Sequence, residues 1–366
     1  MCKVTTHFLH KLSRKIVDRM TTLEVSIDEL ERRITAILTG IGLTAEDARC
    51  VVDSLLDAEM SGVESHGLMR LGAYVDRVVQ GTACASPDIQ VTKAGAVAQI
   101  DGGNGLGQVV MKEAVAVCVQ LAKEHGVGVV SVSHSNHFGT AAYYSRKLAE
   151  QGCLGFVASS AGPTMAPFGG MDLLLGTNPF SIAFPGKDMV FCADMASSAA
   201  AKGKIRSYAQ KGLPIPRGWA LDAQGNDTVD AVEAVKGILL PMGGHKGYAL
   251  AMAVDALCGL LSGAALSGES ASMFQGAQAA NTGHFVAALN IAHFLPPEEF
   301  SQRAQHWFDQ IHNSKPRPGF EHILIPGEPE EQARRTCGAT IRISEKTAAM
   351  LDRCIQEYTN EKECLL

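Results

Sequence analysis

The chain lacks the charge surplus that would select a polyanionic partner. Its 32 Lys and Arg stand against 38 Asp and Glu, a net charge of −6 over 366 residues. A nucleic-acid surface needs clustered positive charge, so no nucleic-acid partner is expected. Long apolar runs are missing too. None approaches the ~20 residues that span a membrane, and the longest, residues 248–261, is broken by Asp255 and reads as a buried helix. Although there are ten cysteines, none forms a CxxC pair, which removes the spacing of zinc knuckles and thioredoxin-type sites. Scattered in apolar stretches such as that around Cys118, they act as small hydrophobes and point to reduced thiols in the cytoplasm. Also absent are GxSxG, the P-loop and HExxH, so no hydrolase elbow, nucleotide-phosphate loop or metal site is expected. No internal repeat, low-complexity tract or linker divides the chain.

What remains is the profile of a globular enzyme, 46% hydrophobic and 19% charged, long enough to bury a core without staples. The first nineteen residues are basic with one acid, Asp18. Transit peptides share that bias, but helical patterning starts just after Met20. Residues 1–19 are therefore read as an extended or misassigned start, outside the fold. Ser26, with Glu29 three residues on, opens a helix carrying Ile27, Leu30, Ile34, Ile37 and Leu38 at helical spacing. Thr44 opens a second, and a third is expected from near His66 through Leu71, Tyr74, Val75 and Val78.

Beyond this layer the period changes. Residues 96–101, 126–132, 154–159, 180–184 and 189–193 read as strands, with helices at 108–125 and 141–151 between them. Alternating strands and helices place the centre in the α/β class. After Pro241 a helix runs to Leu261, followed by a small, polar loop at 263–282. A strand at 284–290, a helix at 297–313, a short strand at 340–343 and a closing helix complete the expectation.

Gly103, Gly105 and Gly107 follow a strand and open a helix, which suggests a Rossmann loop. The third glycine comes one residue early for GxGxxG, and no acid ends the next strand. Turn chemistry accounts for these glycines, so a dinucleotide would be bound in another way.

Four polar clusters carry chemical potential. In the first, Ser65, His66, Arg70 and Tyr74, the last three lie at four-residue spacing and would share a helix face. An imidazole can move a proton, and a guanidinium can grip a carboxylate with two parallel bonds; the bland reading is a cap with surface charges. The second, residues 135–140 with Asn136, His137 and Gly139, lies between a strand and a helix, where α/β sheets present functional loops. Thr177 and Asn178, and then Asp194 with Ser197 and Ser198, form the third, weak when taken alone. In the fourth, Lys246 stands among glycines at the mouth of an apolar helix. Two histidines, an arginine and a lysine suit carbonyl reduction without a metal.

Together these segments resemble the malate/L-lactate dehydrogenase family that is unrelated to the Rossmann-type enzymes. The resemblance runs from about Thr22 to Ile343 and rests on SHGLMRLGAYV, DGGNGLGQ, SNHFGTAAYY, GTNPFSIAFP, DMASSAAAKGKI, MGGHKGYALAM and IPGEPEE in order. It implies a non-Rossmann NAD(P)-binding α/β fold, with a central mixed sheet flanked by N- and C-terminal helical regions. The expected divisions are 20–90 (helical), 91–240 (cofactor-binding) and 241–366 (helical, returning to the core). It also implies a homodimer acting on a small 2-oxo or 2-hydroxy carboxylic acid with NAD or NADP. By the same resemblance His66, assisted by Ser65, or His137 moves the proton, and Arg70 clamps the substrate carboxylate, with Tyr74, Thr177 and Ser198 nearby. His137, Phe138, Gly139, Thr140, Ala141, Asp194, Met195, Ala196, Ser197, Lys246, Gly327 and Glu328 look like cofactor contacts.

Departures exist. DMASS replaces DMATS at Ser197, and residues 289–295 replace an acid–proline turn. Lys204 stands where the family's imino-acid reductases place an acid, which disfavours the alternative of ketimine reduction. A non-catalytic homologue is a further alternative, opposed by the intact histidines, Arg70 and Lys246. By charge, Glu328 beside the adenosine ribose favours NAD over NADP.

Overall fold

The computed structural model describes residues 22–270 and 278–359. The basic extension read at residues 1–19 lies outside them, as does part of the loop expected after residue 263. A short strand that the sequence reading lacks, β1 (Thr22–Ser26), precedes helices α1 (Ile27–Gly40) and α2 (Ala45–Met60). Hydroxyl caps start both helices. Ser26 Oγ accepts the Glu29 N–H at 3.2 Å, and Thr44 Oγ1 accepts that of Asp47 at 3.1 Å. Leu30, Ile34 and Ile37 of α1 pack with Val51, Val52 and Leu55 of α2 in one apolar cluster.

The third helix does not start at His66. Two single 3₁₀ turns, Glu64–His66 and Leu68–Arg70, come first, and α3 is Leu71–Val79. Gly67 parts the turns with ψ −144°, outside the helical range. His66, Arg70 and Tyr74 therefore do not share a regular helix face, and tertiary contacts bring them together.

The centre follows in order: β2 (Gln90–Ala94), β3 (Val97–Asp101), α4 (Gly107–His125), β4 (Val127–Ser135), α5 (Ala141–Glu150), β5 (Cys153–Ser159), β6 (Phe180–Pro185) and β7 (Val190–Met195). A small lobe then carries α6 (Lys202–Gln210), β8 (Ala220–Leu221), α7 (Ala231–Lys236) and β9 (Ile238–Leu239). Helix α8 (His245–Asp255) and a π turn lead to β10 (Thr282–Asn290). The chain closes through α9 (Pro297–His312), α10 (Glu328–Thr336), β11 (Thr340–Ser344) and α11 (Glu345–Tyr358).

The seven-stranded sheet runs β2-β3-β4-β10-β5-β6-β7. Strands β3 and β4 are parallel and the other neighbours antiparallel, so the sheet is mixed, as expected. Alternation along β10 fills both faces. Val286 and Ala288 meet the α4–α5 side, whereas Phe285 and Ala287 meet Val254 and Cys258 on the α8 side. Pairing of β1 with β11 joins the chain's two ends, and Leu351 and Ile355 of α11 enter the cluster of α1 and α2. The flanking helical layer is thus built from both ends of the chain.

Candidate active site

The site grows from the turn between β4 and α5. Asn136 is buried there, and its Nδ2 donates to the carbonyls of Asn104 at 3.1 Å and Gly105 at 2.8 Å. Its Oδ1 accepts from Arg77 Nε at 3.1 Å. This lattice, invisible in the local sequence, fixes the next residue, His137. Gly139 turns the chain with φ +86°, a value that favours glycine.

Two donors converge on His137 Nδ1: the Tyr74 hydroxyl at 2.7 Å and the Gly139 N–H at 3.3 Å. An amide can only donate, so Nδ1 is assigned as the acceptor and the ring proton as Nε2–H. Burial pushes the Tyr74 phenol upward, which keeps its proton available for this bond. The His66 ring stacks on His137 at 5.7 Å between centroids and 18° between planes. Ser65 Oγ lies 2.9 Å from His66 Nδ1. Because a hydroxyl can rotate to donate or accept, His66 is free to change protonation state where His137 is not.

Both rings are held neutral. Burial, then the Arg70 charge, lowers His66 to about 4. Burial, reinforced by His66, Arg70 and His284, drives His137 well below the ordinary value. Arg70 Nε donates to the Ser65 carbonyl at 2.6 Å, which ties the guanidinium to the turn that carries His66. Beneath that turn the Glu59 carboxylate accepts the Leu68 N–H at 2.7 Å, and a side chain at Gly67 would collide with it. Glu59 was not singled out in the sequence, and no local signal marks it.

A cleft of about 500 Å³ opens beside this cluster, lined by Thr140, Ala142, Asp194, Met195, Gly327 and Arg334 among others. It gathers residues from the second and third clusters and from the Gly327 turn. Asp194 is exposed to the cleft, yet the protein around it pushes its carboxyl up to about 6 through desolvation, against the Ala142 N–H and Arg146. Arg146 in turn pairs with Asp57 at 2.6 Å. Gly327 has φ +90°, and a Cβ there would come within 2.9 Å of Cys192 Cβ. An adjoining hollow of about 380 Å³ shares Leu324 and holds His312 and Glu328. The Glu328 carboxylate is engaged there, 2.9 Å from both the Ile325 N–H and His312 Nε2.

Other candidates sit as follows. Ser197 donates through its N–H and Oγ to the Thr177 carbonyl, each at 2.8 Å. Ser198 donates to the Ala200 carbonyl at 2.9 Å. Lys246 is exposed in the first turn of α8, next to Gly247, whose Cα packs against the Met242 and Ser197 backbone. Phe138 turns its ring inward, stacked on His284 at 4.7 Å and Tyr144 at 5.1 Å, so only its backbone faces the site. His284 is itself buried, bridges Ser159 and Ser135 at 2.9 Å each, and is pushed down to about 3 by burial. Behind Thr177, Asn178 holds a left-handed turn (φ +35°) and bonds Ala161 and Ala251. His284 and Arg77 act through partners distant in sequence, which is why motif spacing does not reveal them. Among the described residues no cluster of His, Cys, Asp and Glu could hold a metal ion.

Comparison with known proteins agrees with this geometry. Residues 25–352 match the family model described as malate/L-lactate dehydrogenase. The chain is 40% identical over 315 residues to a malate dehydrogenase of Pyrococcus horikoshii, covering 84% of this chain and 87% of that one. The solved sulfolactate dehydrogenase of Methanocaldococcus jannaschii superposes with a TM-score of 0.88 at 36% identity, covering 92% of this chain and 97% of its own. A ureidoglycolate dehydrogenase (NAD(+)) of Escherichia coli strain K12 is 31% identical, with 86% of this chain and 90% of the relative covered. The ordered histidine pair, the cleft beside it and these matches lead to one assignment: the chain belongs to the malate/L-lactate dehydrogenase family.

Proposed function

We propose that this dehydrogenase interconverts a small 2-hydroxy acid and its 2-oxo acid, of the malate or sulfolactate kind, with His66 as the proton carrier. The observation that carries the assignment is the saturated Nδ1 of His137. Protonating that atom would set an imidazole N–H against the Gly139 N–H. His137 is therefore a fixed neutral donor, its Nε2–H available to the substrate oxygen. His66 has Ser65 Oγ as its partner, which can accept an Nδ1–H when the ring is charged. Stacked as they are, the two rings favour one charge at most, which keeps the roles distinct. Arg70, anchored through Nε, is the group to hold the substrate carboxylate.

NAD or NADP suits the cleft. Its volume lies in the range of ligand sites, and it combines the N-terminal end of α5 at Thr140 and Ala142, an accessible Asp194 and the close backbone approach at Gly327. When bound, the nicotinamide supplies or accepts the hydride. Thr140, Asp194, Met195 and Gly327 would hold the cofactor, with Ala141, Ala196, Ser197 and Lys246 beside them. His312 Nε2 lies 2.9 Å from the Glu328 carboxylate, so the preference for NAD rests on an acid that already has a partner. Lys204, whose amine lies over Trp219 at 5.1 Å, offers no acid for an imine, which supports a carbonyl substrate. Free thiols at all eight described cysteines fit a cytoplasmic enzyme.

The test follows cofactor absorbance at 340 nm with oxaloacetate, sulfopyruvate, pyruvate and a cyclic imino acid, using NADH and NADPH in turn. Turnover of a 2-oxo acid is expected, with His66→Gln reducing kcat by roughly 10²–10⁴-fold. Full activity in His66→Gln would remove it as the proton carrier. Silence on every acid with both cofactors would refute the activity.

A further inference from the structure

Asp255 closes α8 as a buried acid that the proposed chemistry does not use. It is 6% exposed, and among the described residues no Lys, Arg or His forms an ion pair with it. Its Oδ1 lies 2.7 Å from the Ser267 hydroxyl. The same hydroxyl lies 2.9 Å from Asn178 Oδ1. A hydroxyl has one proton to give, so Ser267 donates to one of these oxygens and has to accept at the other contact.

Asn178 decides which. Its Oδ1 accepts the Ala161 N–H at 3.0 Å, and its Nδ2 donates to the Ala251 carbonyl at 2.9 Å. Turned the other way, the amide would set N–H against N–H and carbonyl against carbonyl, so its orientation is fixed. Asn178 Oδ1 can therefore only accept, and the proton in its contact with Ser267 is the hydroxyl's. The contact between Ser267 and Asp255 then needs a second proton, which the carboxyl can carry. An ionised Asp255 would take the hydroxyl proton and leave two oxygens 2.9 Å apart with none between them. Burial also pushes the Asp255 carboxyl up, against the pull of Ser267 and Asn178. Cys258, three residues on, brings no charge, because burial and then Asp255 push its thiol up.

The network ends at the cleft. Asn178 holds the left-handed turn after Thr177, whose carbonyl receives the N–H and hydroxyl of Ser197 at 2.8 Å each. Two residues further, Phe180 pairs with Met195, which lines the cleft beside Asp194. We propose that Asp255 is an un-ionised carboxylic acid at neutral pH, and that its O–H, bonded to Ser267, locks the Asn178 turn and so positions the Ser197 segment beside the cleft. Asp255 is a positioning residue that acts through Ser267 and Asn178. The inference rests on the cofactor reading only for the binding measurement below.

Infrared difference spectra of the full chain read the proton directly. At neutral pH the native protein should show the carbonyl stretch of a buried carboxylic acid, lost in Asp255→Asn and kept in Glu59→Gln. Titration with NADH, and with NADPH in turn, reads the positioning. Asp255→Asn keeps a donor for Ser267 and should bind as the native protein does. Asp255→Val has none and should bind about 5-fold more weakly, the worth of one hydrogen bond. Ser267→Ala cuts the link but leaves the acid, so it should show the same loss of affinity and a shifted band. Raising the pH until the band disappears should weaken the native protein relative to Asp255→Asn by the same factor. A native spectrum without the band, or a band that survives in Asp255→Asn, would overturn the un-ionised acid. Affinities unchanged in both Asp255→Val and Ser267→Ala would overturn the positioning. A band that behaves as expected in a protein that binds neither cofactor would uphold the acid and refute the cofactor reading.

Discussion

Glu59 lies under the turn that carries His66, and its charge state is a matter of stability as well as placement. Its carboxyl is pushed up to about 7, chiefly by burial and slightly by Glu64, while the Leu68 N–H pulls it down. The ordinary value is 4.5, so between 4.5 and about 7 the folded chain binds more protons than the unfolded one. Stability from this group is full below 4.5 and is lost as pH rises through about 7. Glu59→Gln keeps an acceptor for Leu68 and removes the charge. Its unfolding midpoint should exceed that of the native protein by about 2–4 °C at pH 8 and differ little at pH 5, as measured by calorimetry. A variant less stable at pH 8 would show that the carboxylate is favourably held, against this account.

At the scale of elements, the unit β3–α4–β4 places the turn that carries His137. Gly107 begins α4 where a Cβ would run into the Asn136 carbonyl and lie 2.6 Å from that of His137. Both are backbone atoms and cannot swing aside. Gly107→Ala should therefore displace either the helix start or the His137 turn, lowering kcat on the order of 10²-fold and stability by about 1–3 kcal/mol. Gly338→Ala, in open space, is the control and should match the native protein in both assays. Gly107, read locally, is a turn residue, and only the packing of α4 on the β4–α5 turn reveals the close approach. Signals contained within one segment are legible: the caps at Ser26 and Thr44 and the β-branched run of β4. Features fixed at a distance are not. Strand β1 exists because β11 pairs with it from more than 300 residues away, and edge strand β2 has no buried alternation to show. The helix expected at His66 gave way to turns because Glu59, on another helix, captures the Leu68 N–H. Asn178, Arg77 and His284 support the site through partners distant in sequence, which motif spacing cannot show.

For the whole molecule, the decisive feature is helix α8, whose stretch 247–254 is apolar on all sides. Gly247, Ala251 and Val254 of α8 face the core, yet Leu250 and Met252 point outward, 41% and 50% exposed. A helix with no polar face requires cover on both sides. The surface around it is apolar as well. Phe168 lies beside Gly244 and His245, Leu174 rests against Gly268, and Leu260 and Leu261 continue the patch beyond α8. We infer that a second copy of the chain covers this face, as expected of a family dimer, since an isologous contact buries the same patch on both partners. Sedimentation should give twice the 38.8 kDa chain mass, with an unfolding temperature that rises with protein concentration. Leu250→Glu combined with Met252→Glu places two carboxylates in each half of the contact, and the symmetry doubles their repulsion. That variant should sediment as a monomer and lose the concentration dependence, while a native protein that is monomeric at micromolar concentration would leave α8 without the cover this argument requires.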